Sequence, residues 1–199
     1  MKLTIEKNDL SALTSLVHRA ASSKNTIPVL SGLLIEASKE KGLTMTATDL
    51  EIGIRASTDQ AEILEEGSVL VNAHYFADFI KLLPESPIRL ELNRETSRLD
   101  ITYGRSSGFI NTYRAQEYPG LPIDHMEYRF SLPQKVLKEA LRKTSFAAAV
   151  THFRQVFTGV LFDVLEGGIL KIVASDTHRL AYYTYNLEEK NLNPFNFII

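Results

Sequence analysis

A repeat is the strongest constraint on this 199-residue sequence. Gly32 precedes Leu33-Leu34-Ile35, and 127 residues later Gly159 precedes Val160-Leu161-Phe162. The same spacing relates Ala47-Thr48-Asp49 to Ala174-Ser175-Asp176, each just after an alternating apolar run. It also relates Leu10 to Leu137 and Ala20-Ala21 to Ala147-Ala148. Separate segments that keep one offset without a net insertion point to a duplicated domain. Inside the first copy lies a weaker half-repeat, with Leu3, Ile5 and Leu10 matching Val69, Val71 and Phe76 at an offset of 66. Each half reads as a short strand, a helix and three strands, an α+β pattern.

The first helix is expected over roughly 8–21, with Asp9 near its start and Leu10, Leu13, Val17 and Ala21 as its apolar stripe. The second is expected near 73–83, with Tyr75, Phe76, Phe79, Ile80 and Leu83 packed inward and Pro84 closing it. Strands are expected at 30–37, 42–48, 52–57, 88–92, 99–103 and 108–114, with hairpin connections at 93–96 and 104–106. Prolines and a glycine break the periodicity across Glu117–Pro122, so domains are placed at 1–120 and 128–199 with a linker at 121–127. On the 127-residue offset Ile199 falls on Asn72, before the second helix of a repeat. The second unit therefore reads as the N-terminal half of a domain, and the chain as a fragment. Such a half would leave strand edges and one helix face in need of cover.

Composition narrows the function. No run nears the roughly 20 apolar residues of a membrane span, and the N-terminus lacks a signal-peptide pattern. With no Cys, thiolate metal sites and disulfides are excluded, and a reducing cytoplasm is the expected home. The formal charge of −2 is low for a nucleic-acid binder, so what matters is where the charges sit. In the helix beginning at Gln134, Lys135, Lys138, Arg142 and Lys143 share the wet side, opposed only by Glu139. An ordinary solubilising face would look the same; the functional alternative is a helix facing DNA phosphates. Two loops at matching places in the repeat, Ser22–Thr26 and Val150–Gln155, each join a cation to polar neighbours.

Ser175-Asp176-Thr177-His178-Arg179 holds the residue types of a catalytic relay, but types alone do not place nucleophile, base and acid together. The Asp repeats Asp49, which no His follows in that register, so a backbone-capping turn is the simpler reading. The sequence carries no nucleotide-binding or metalloprotease motif, and its five His form no ligand pattern. No cofactor, no metal and no catalysis are expected.

The whole length resembles the bacterial DNA polymerase III beta subunit family, the replicative sliding clamps. MKLTIEKNDL, IPVLSGLLIEA at 27–37, FTGVLFD at 157–163 and VASDTHRLA at 173–181 carry the likeness. The resemblance implies a DNA-clamp fold in which two three-domain protomers close head to tail around duplex DNA. It implies a non-catalytic processivity factor that tethers replicative polymerase, the clamp loader and repair proteins through peptide pockets.

By position, Lys24, Asn25, Thr151, His152 and Arg154 match the family's DNA-contacting loops, and Lys138, Arg142, Lys135 and Lys143 its cavity-lining helix. Thr151 is short for a groove contact. Phe157, Ser175, Thr177, His178, Arg179 and Leu180 match one wall of its peptide pocket. Tyr103, Arg105, Phe109 and Ile110 are candidates for the contact between protomers. The competing reading is a repeated-domain module that binds peptides and no nucleic acid.

Overall fold

The computed structural model describes residues 1–22, 27–121 and 128–199. They divide into two compact units that meet in sequence at 122–123.

Unit 1 runs β1 (Lys2–Glu6), α1 (Lys7–Val17), β2 (Gly32–Ser38), β3 (Gly42–Thr48), β4 (Gly53–Thr58), β5 (Glu62–Glu65), β6 (Gly67–Asn72), α2 (Ala73–Leu82), β7 (Pro87–Asn93), β8 (Arg98–Tyr103) and β9 (Ser106–Tyr113). Its nine strands lie in the order β4-β3-β2-β6-β9-β8-β7-β1-β5. The half-repeat explains that order. Each half's opening strand pairs with the other half's first return strand, β1 with β7 and β6 with β2. Each half's last stretch then crosses between the strand sets. β9 pairs with β8 over 106–111 and with β6 at Thr112 and Tyr113, while β4 pairs with β3 and its continuation β5 with β1.

Leu10, Leu13 and Val17 of α1 and Phe76 and Ile80 of α2 bury their side chains with Leu3, Ile35, Met45, Val71 and Leu90 from the strands. Asn72 caps α2 by accepting the Tyr75 N–H at 2.9 Å. The inward set of α2 is Ala73, Phe76, Ile80 and Leu83, with Phe79 half-buried. Tyr75, expected inside, is 58% exposed, because at about 100° per residue it stands a quarter-turn or more off the Phe76 face.

Several boundaries differ from expectation. Residues 18–20 and 28–31 form 3₁₀ turns rather than helix and strand. β5 was not anticipated: four residues, two of them Glu, give too short an alternation to register. The hairpin at Gly104-Arg105 is a two-residue turn with Gly104 at φ +56, the backbone that favours glycine there.

Unit 2 contains α3 (Gln134–Thr144), β10 (Leu161–Leu165), β11 (Ile169–Ser175), β12 (Leu180–Asn186) and β13 (Phe195–Ile198), in the order β12-β11-β10-β13. The 127-residue offset carries α1 onto α3 end for end, and the 3₁₀ turns His18–Ala20 and Pro28–Ser31 onto Ser145–Ala147 and Gln155–Thr158. β13 is shifted in register: Leu34 pairs with Leu70, but Leu161 pairs with Ile198, which lies 128 residues beyond Leu70. One extra residue between β12 and β13 absorbs the shift.

Residues 128–133, the counterpart of β1, form no strand. No described strand of unit 2 stands where β7 does, so this segment lacks β1's main partner. Its aromatics are covered instead by ring packing: Tyr128 stacks on Phe195 at 4.9 Å, and Phe130 lies 6.0 and 6.4 Å from Phe195 and Phe197.

Past β9 the chain returns across unit 1, and Tyr118 is buried to 9% exposure. Its hydroxyl accepts the Thr48 N–H at 2.9 Å and donates to the Gly32 carbonyl at 3.3 Å. Those two backbone groups lie just beyond the last β2–β3 ladder pair, Leu34 with Thr46, where the strands part. Burial raises the Tyr118 phenol above its ordinary value, against a smaller lowering from the Thr48 bond. Tyr118→Phe should lower stability by about 1–2 kcal/mol in urea melts, because a buried N–H loses its acceptor. A raised folded pKa contributes stability that is intact below the unfolded phenol value of about 10 and fades above it. Part of the alkaline loss of stability in the parent should therefore be missing in that variant.

Candidate nucleic-acid interface and peptide-binding face

The basic helix of unit 2 follows from amphipathic spacing. Ala140 and Thr144 are buried, and Leu137 and Leu141 pack against the same core. Lys135, Lys138 and Arg142 are all exposed on the other side. At about 100° per residue these three fall within an arc of about 60°, forming one stripe along the axis. Among the described residues none of the three has an ion-pair partner. Lys143 differs. Its ammonium is 2.7 Å from Glu139 and 5.4 Å from the Tyr183 ring, so its charge is partly spent inside the helix face. That bond chiefly holds the Glu139 carboxyl below its ordinary pKa, with added pull from Arg142 and Lys135.

Of the loop candidates, Thr151 and Arg154 are exposed. His152 is turned back on its own loop: Nδ1 accepts the Arg154 N–H at 3.0 Å, and the ring stacks on Phe153 at 4.5 Å and meets Phe157 edge-on at 4.8 Å. These contacts hold the ring against the loop. Lys24 and Asn25 lie outside the described residues.

Ser175–Leu180 is a backbone-built corner between β11 and β12. Asp176 accepts the N–H groups of His178 and Arg179 at 3.0 and 2.9 Å and the Arg179 Nε at 2.9 Å. These bonds, the Arg179 N–H first, hold the Asp176 carboxyl below its ordinary value against its desolvation. Ser175 Oγ donates to the Arg179 carbonyl at 2.8 Å. Unit 1 has the same corner: Asp49 accepts from Glu51 and Ile52 at 3.0 and 2.7 Å, and Thr48 Oγ1 donates to the Ile52 carbonyl at 2.8 Å. The Ser and Asp hold the chain's course, and among the described residues neither bonds to the His178 ring. The capping reading stands, and the relay reading does not.

Outward the corner offers the exposed Thr177, His178 and Arg179 beside an apolar surface. Leu180 is 64% exposed, and Phe157 is half-buried nearby in sequence to the exposed Phe153 and Val156. The Arg179 guanidinium lies 5.9 Å from the Phe146 ring, itself 59% exposed. Phe146 and Tyr182 were not picked out from sequence. The available signal was an aromatic falling on the wet side of an amphipathic pattern.

In unit 1, Phe109 is half-exposed with the Arg98 guanidinium 4.1 Å over its ring, and Arg105 sits at an exposed hairpin tip. Tyr103 is partly buried against Phe79, with ring centroids 6.3 Å apart. Ile110 is a correction: alternation along β9 turns it into the core at 4% exposure, so it has no side chain to present to another protomer. The β9 edge away from β8 carries no strand over 106–111 among the described residues.

A duplicated unit built from exchanged halves is the architecture of the sliding clamps, and the comparisons agree. Residues 1–122 match the family model of the DNA polymerase III beta subunit N-terminal domain, and 131–199 that of its central domain. The Beta sliding clamp of Halalkalibacterium halodurans is 37% identical over 182 residues, 88% of this chain and 47% of the relative. That of Bacillus subtilis is 31% identical over 206 aligned residues, all of this chain and 54% of the relative. The crystal structure of the B. subtilis clamp superposes with a TM-score of 0.91 at 30% identity, over 100% of this chain and 53% of that one. The Pseudomonas aeruginosa beta subunit gives 0.91 at 28%, with the same coverage. The chain belongs to the bacterial DNA polymerase III beta subunit family. It spans about half the length of the curated relatives it matches.

The corner stores strain. Thr177 adopts φ +76, as its counterpart Leu50 adopts φ +79, and a β-branched residue there is held against its preference. Thr177→Gly should raise unfolding stability by about 1 kcal/mol in denaturant melts, by removing the left-handed penalty. A loss of stability would mean that the Thr177 side chain makes contacts that outweigh the strain.

Proposed function

We propose that the chain serves as part of a non-catalytic DNA sliding clamp, which encircles duplex DNA and tethers replicative polymerase to it. Residues 1–120 make one clamp domain and 128–199 the opening half of the next, joined through 121–127. Closing a homodimeric ring then draws on surfaces outside these 199 residues, with Tyr103, Arg105 and Phe109 contributing from the first domain. The working compartment is the bacterial cytoplasm; no described helix is long and apolar enough to cross a membrane.

The observation that carries the DNA reading is the stripe of Lys135, Lys138 and Arg142, solvent-facing and without an ion-pair partner among the described residues, on a helix that the repeat duplicates. Cations spaced along one face meet phosphates without reading bases, so the contact is strong at low salt and replaceable as the protein slides. Thr151 and Arg154 add a polar loop, and Lys24 and Asn25 occupy the matching sequence positions of the first domain. The peptide reading rests on Leu180 and Phe157 as apolar contacts beside the polar edge of Ser175, Thr177, His178 and Arg179. That combination suits short segments of polymerase, clamp loader and repair proteins that bind through hydrophobic anchors.

Replacing both Lys138 and Arg142 by Ala should weaken low-salt association with duplex DNA. The slope of log affinity against log salt should fall by roughly 1.8, about 0.9 for each lost phosphate contact. An unchanged slope would remove these two from the interface and favour a module that binds peptides alone. Leu180→Ala should weaken capture of a polymerase-derived peptide with hydrophobic anchors by about tenfold, the scale of a buried anchor contact; undiminished capture would place the peptide elsewhere.

A further inference from the structure

Two imidazoles meet in unit 1 where α1 ends and α2 begins. His18 is the C-terminal cap of α1, and His74 is the second residue of α2. Their ring centroids are 5.9 Å apart, with the planes at 89°. The two residues are far apart in sequence, so no short ligand spacing announces the pair.

The backbone requires neither ring. The 127-residue offset carries His18 onto Ser145, and the same 3₁₀ turn follows each helix. One bond closes both turns: Ala21 N–H donates to the His18 carbonyl, and Ala148 N–H to the Ser145 carbonyl, each at 3.1 Å. The 66-residue offset carries His74 onto Asn8, which holds the second position of α1 without an imidazole. What the two histidines add is therefore their own chemistry.

On the His18 side that chemistry is already arranged. Its Nδ1 lies 2.9 Å from the Thr14 carbonyl oxygen, which can only accept, so Nδ1 carries the hydrogen. The neutral ring then keeps a bare lone pair on Nε2. A ring N–H given to a backbone carbonyl is also the usual support behind a metal-ligating imidazole, fixing its tautomer and orientation. His74 is exposed, and its ring holds no hydrogen bond among the described residues, so it is free to turn toward a shared ion. Zinc–nitrogen bonds of about 2.0–2.1 Å, with about 1.1 Å more from nitrogen to ring centre, let two imidazoles on one ion stand up to about 6.4 Å apart. The observed 5.9 Å lies inside that reach. Asp78, one turn after His74 on the same side of α2, is exposed and favours a cation, whereas the exposed Arg19 beside His18 opposes one. Among the described residues no three His, Asp or Glu gather as ligands, which leaves the remaining positions of an ion to water.

We infer that His18 and His74 form a two-histidine site for a divalent transition-metal ion of the zinc class. Imidazole nitrogen suits Zn²⁺, Ni²⁺ and Cu²⁺, whereas Mg²⁺ and Ca²⁺ take oxygen ligands. A bound ion ties the end of α1 to the start of α2, and stabilises unit 1 as its concentration rises above its Kd. The site stands apart from the cationic stripe and the peptide face, which both belong to unit 2.

The test titrates zinc chloride into the 199-residue chain, labelled with ¹⁵N and free of any histidine tag. Long-range ¹H–¹⁵N spectra should show His18 with its hydrogen on Nδ1 before metal is added. On titration the ring nitrogens of His18 and His74 should shift together with one shared midpoint. That midpoint should lie about tenfold or more below the zinc concentration that moves His152 and His178, which meet no other imidazole among the described residues. His74→Ala, at an exposed position, should weaken zinc at His18 by about tenfold or more, because a second ligand on the same scaffold raises the effective concentration. Zinc should also raise the melting temperature of the parent by more than that of His74→Ala. Separate midpoints for the two rings would overturn the site, as would an unchanged His18 response or an equal melting shift in the variant. So would rings that stay silent at millimolar zinc.

Discussion

Each half of unit 1 needs the other half's opening strand, and most of the structure depends on that exchange. β1 leaves its own helix to pair with β7, and β6 does the same with β2. A half taken alone would leave the apolar side of its helix uncovered and an opening strand without a ladder, and short sheets of that kind are marginal in water. With the exchange, α1 and α2 share one core that includes Leu3 from β1 and Val71 from β6. Unit 2 shows the converse. Its helix, its three following strands and β13 form, but the stretch matching β1 stays out of the sheet and hides its aromatics against Phe195 and Phe197.

The repeat keeps the backbone and frees the side chains. Thr48-Asp49 and Ser175-Asp176 make the same hydroxyl and carboxylate bonds, so the corner keeps its course whatever the residues at its tip. Those residues have diverged: Leu50, Glu51, Ile52 and Gly53 in one copy, Thr177, His178, Arg179 and Leu180 in the other. A polar pair that serves the main chain thus lets the residues at the tip differ between the two copies while the corner keeps its course. This also explains why a Ser, an Asp and a His close together in sequence carry no acid–base chemistry here: two of the three are already engaged by backbone.

Much of the architecture was legible because the hydrophobic pattern repeats at a fixed spacing, which survives side-chain divergence. Leu10, Leu13 and Val17 of α1 are buried as their spacing requires, and Ala21 is buried too, though it lies past the 3₁₀ turn that follows the helix. Short strands were not legible: β5 and β13 have four residues each, and their pairing is decided by partners far away in sequence. Sidedness was legible only where periodicity was clean. Tyr75 and Ile110 were misassigned because a large apolar residue is compatible with either a core or a surface position until its neighbours are fixed. The positive φ of Thr177 left no trace in its residue type, since nothing about threonine announces a left-handed turn. Nor did Tyr118 in a proline-rich connection announce that its hydroxyl would complete a parting ladder.

Net charge and local charge are different quantities, so a formal −2 is compatible with a helix that carries a cationic stripe. Electrostatic influence at the surface decays over about 8 Å at physiological salt, so acids beyond that range do little to a stripe such as Lys135, Lys138 and Arg142. Some of the acid has other work. Glu62 and Glu65 lie on β5 at the end of the strand order, where charge discourages pairing with another sheet. Glu85 and Glu91 bind Lys7 and Lys2 at 3.0 Å, neutralising cations near the N-terminus of unit 1. Glu139 is bonded to Lys143, and among the described residues the other three cations of α3 have no ion-pair partner. A surface divided in this way can stay near neutrality as a whole, which limits indiscriminate attraction to other polyanions, while one helix keeps its cations gathered on one face.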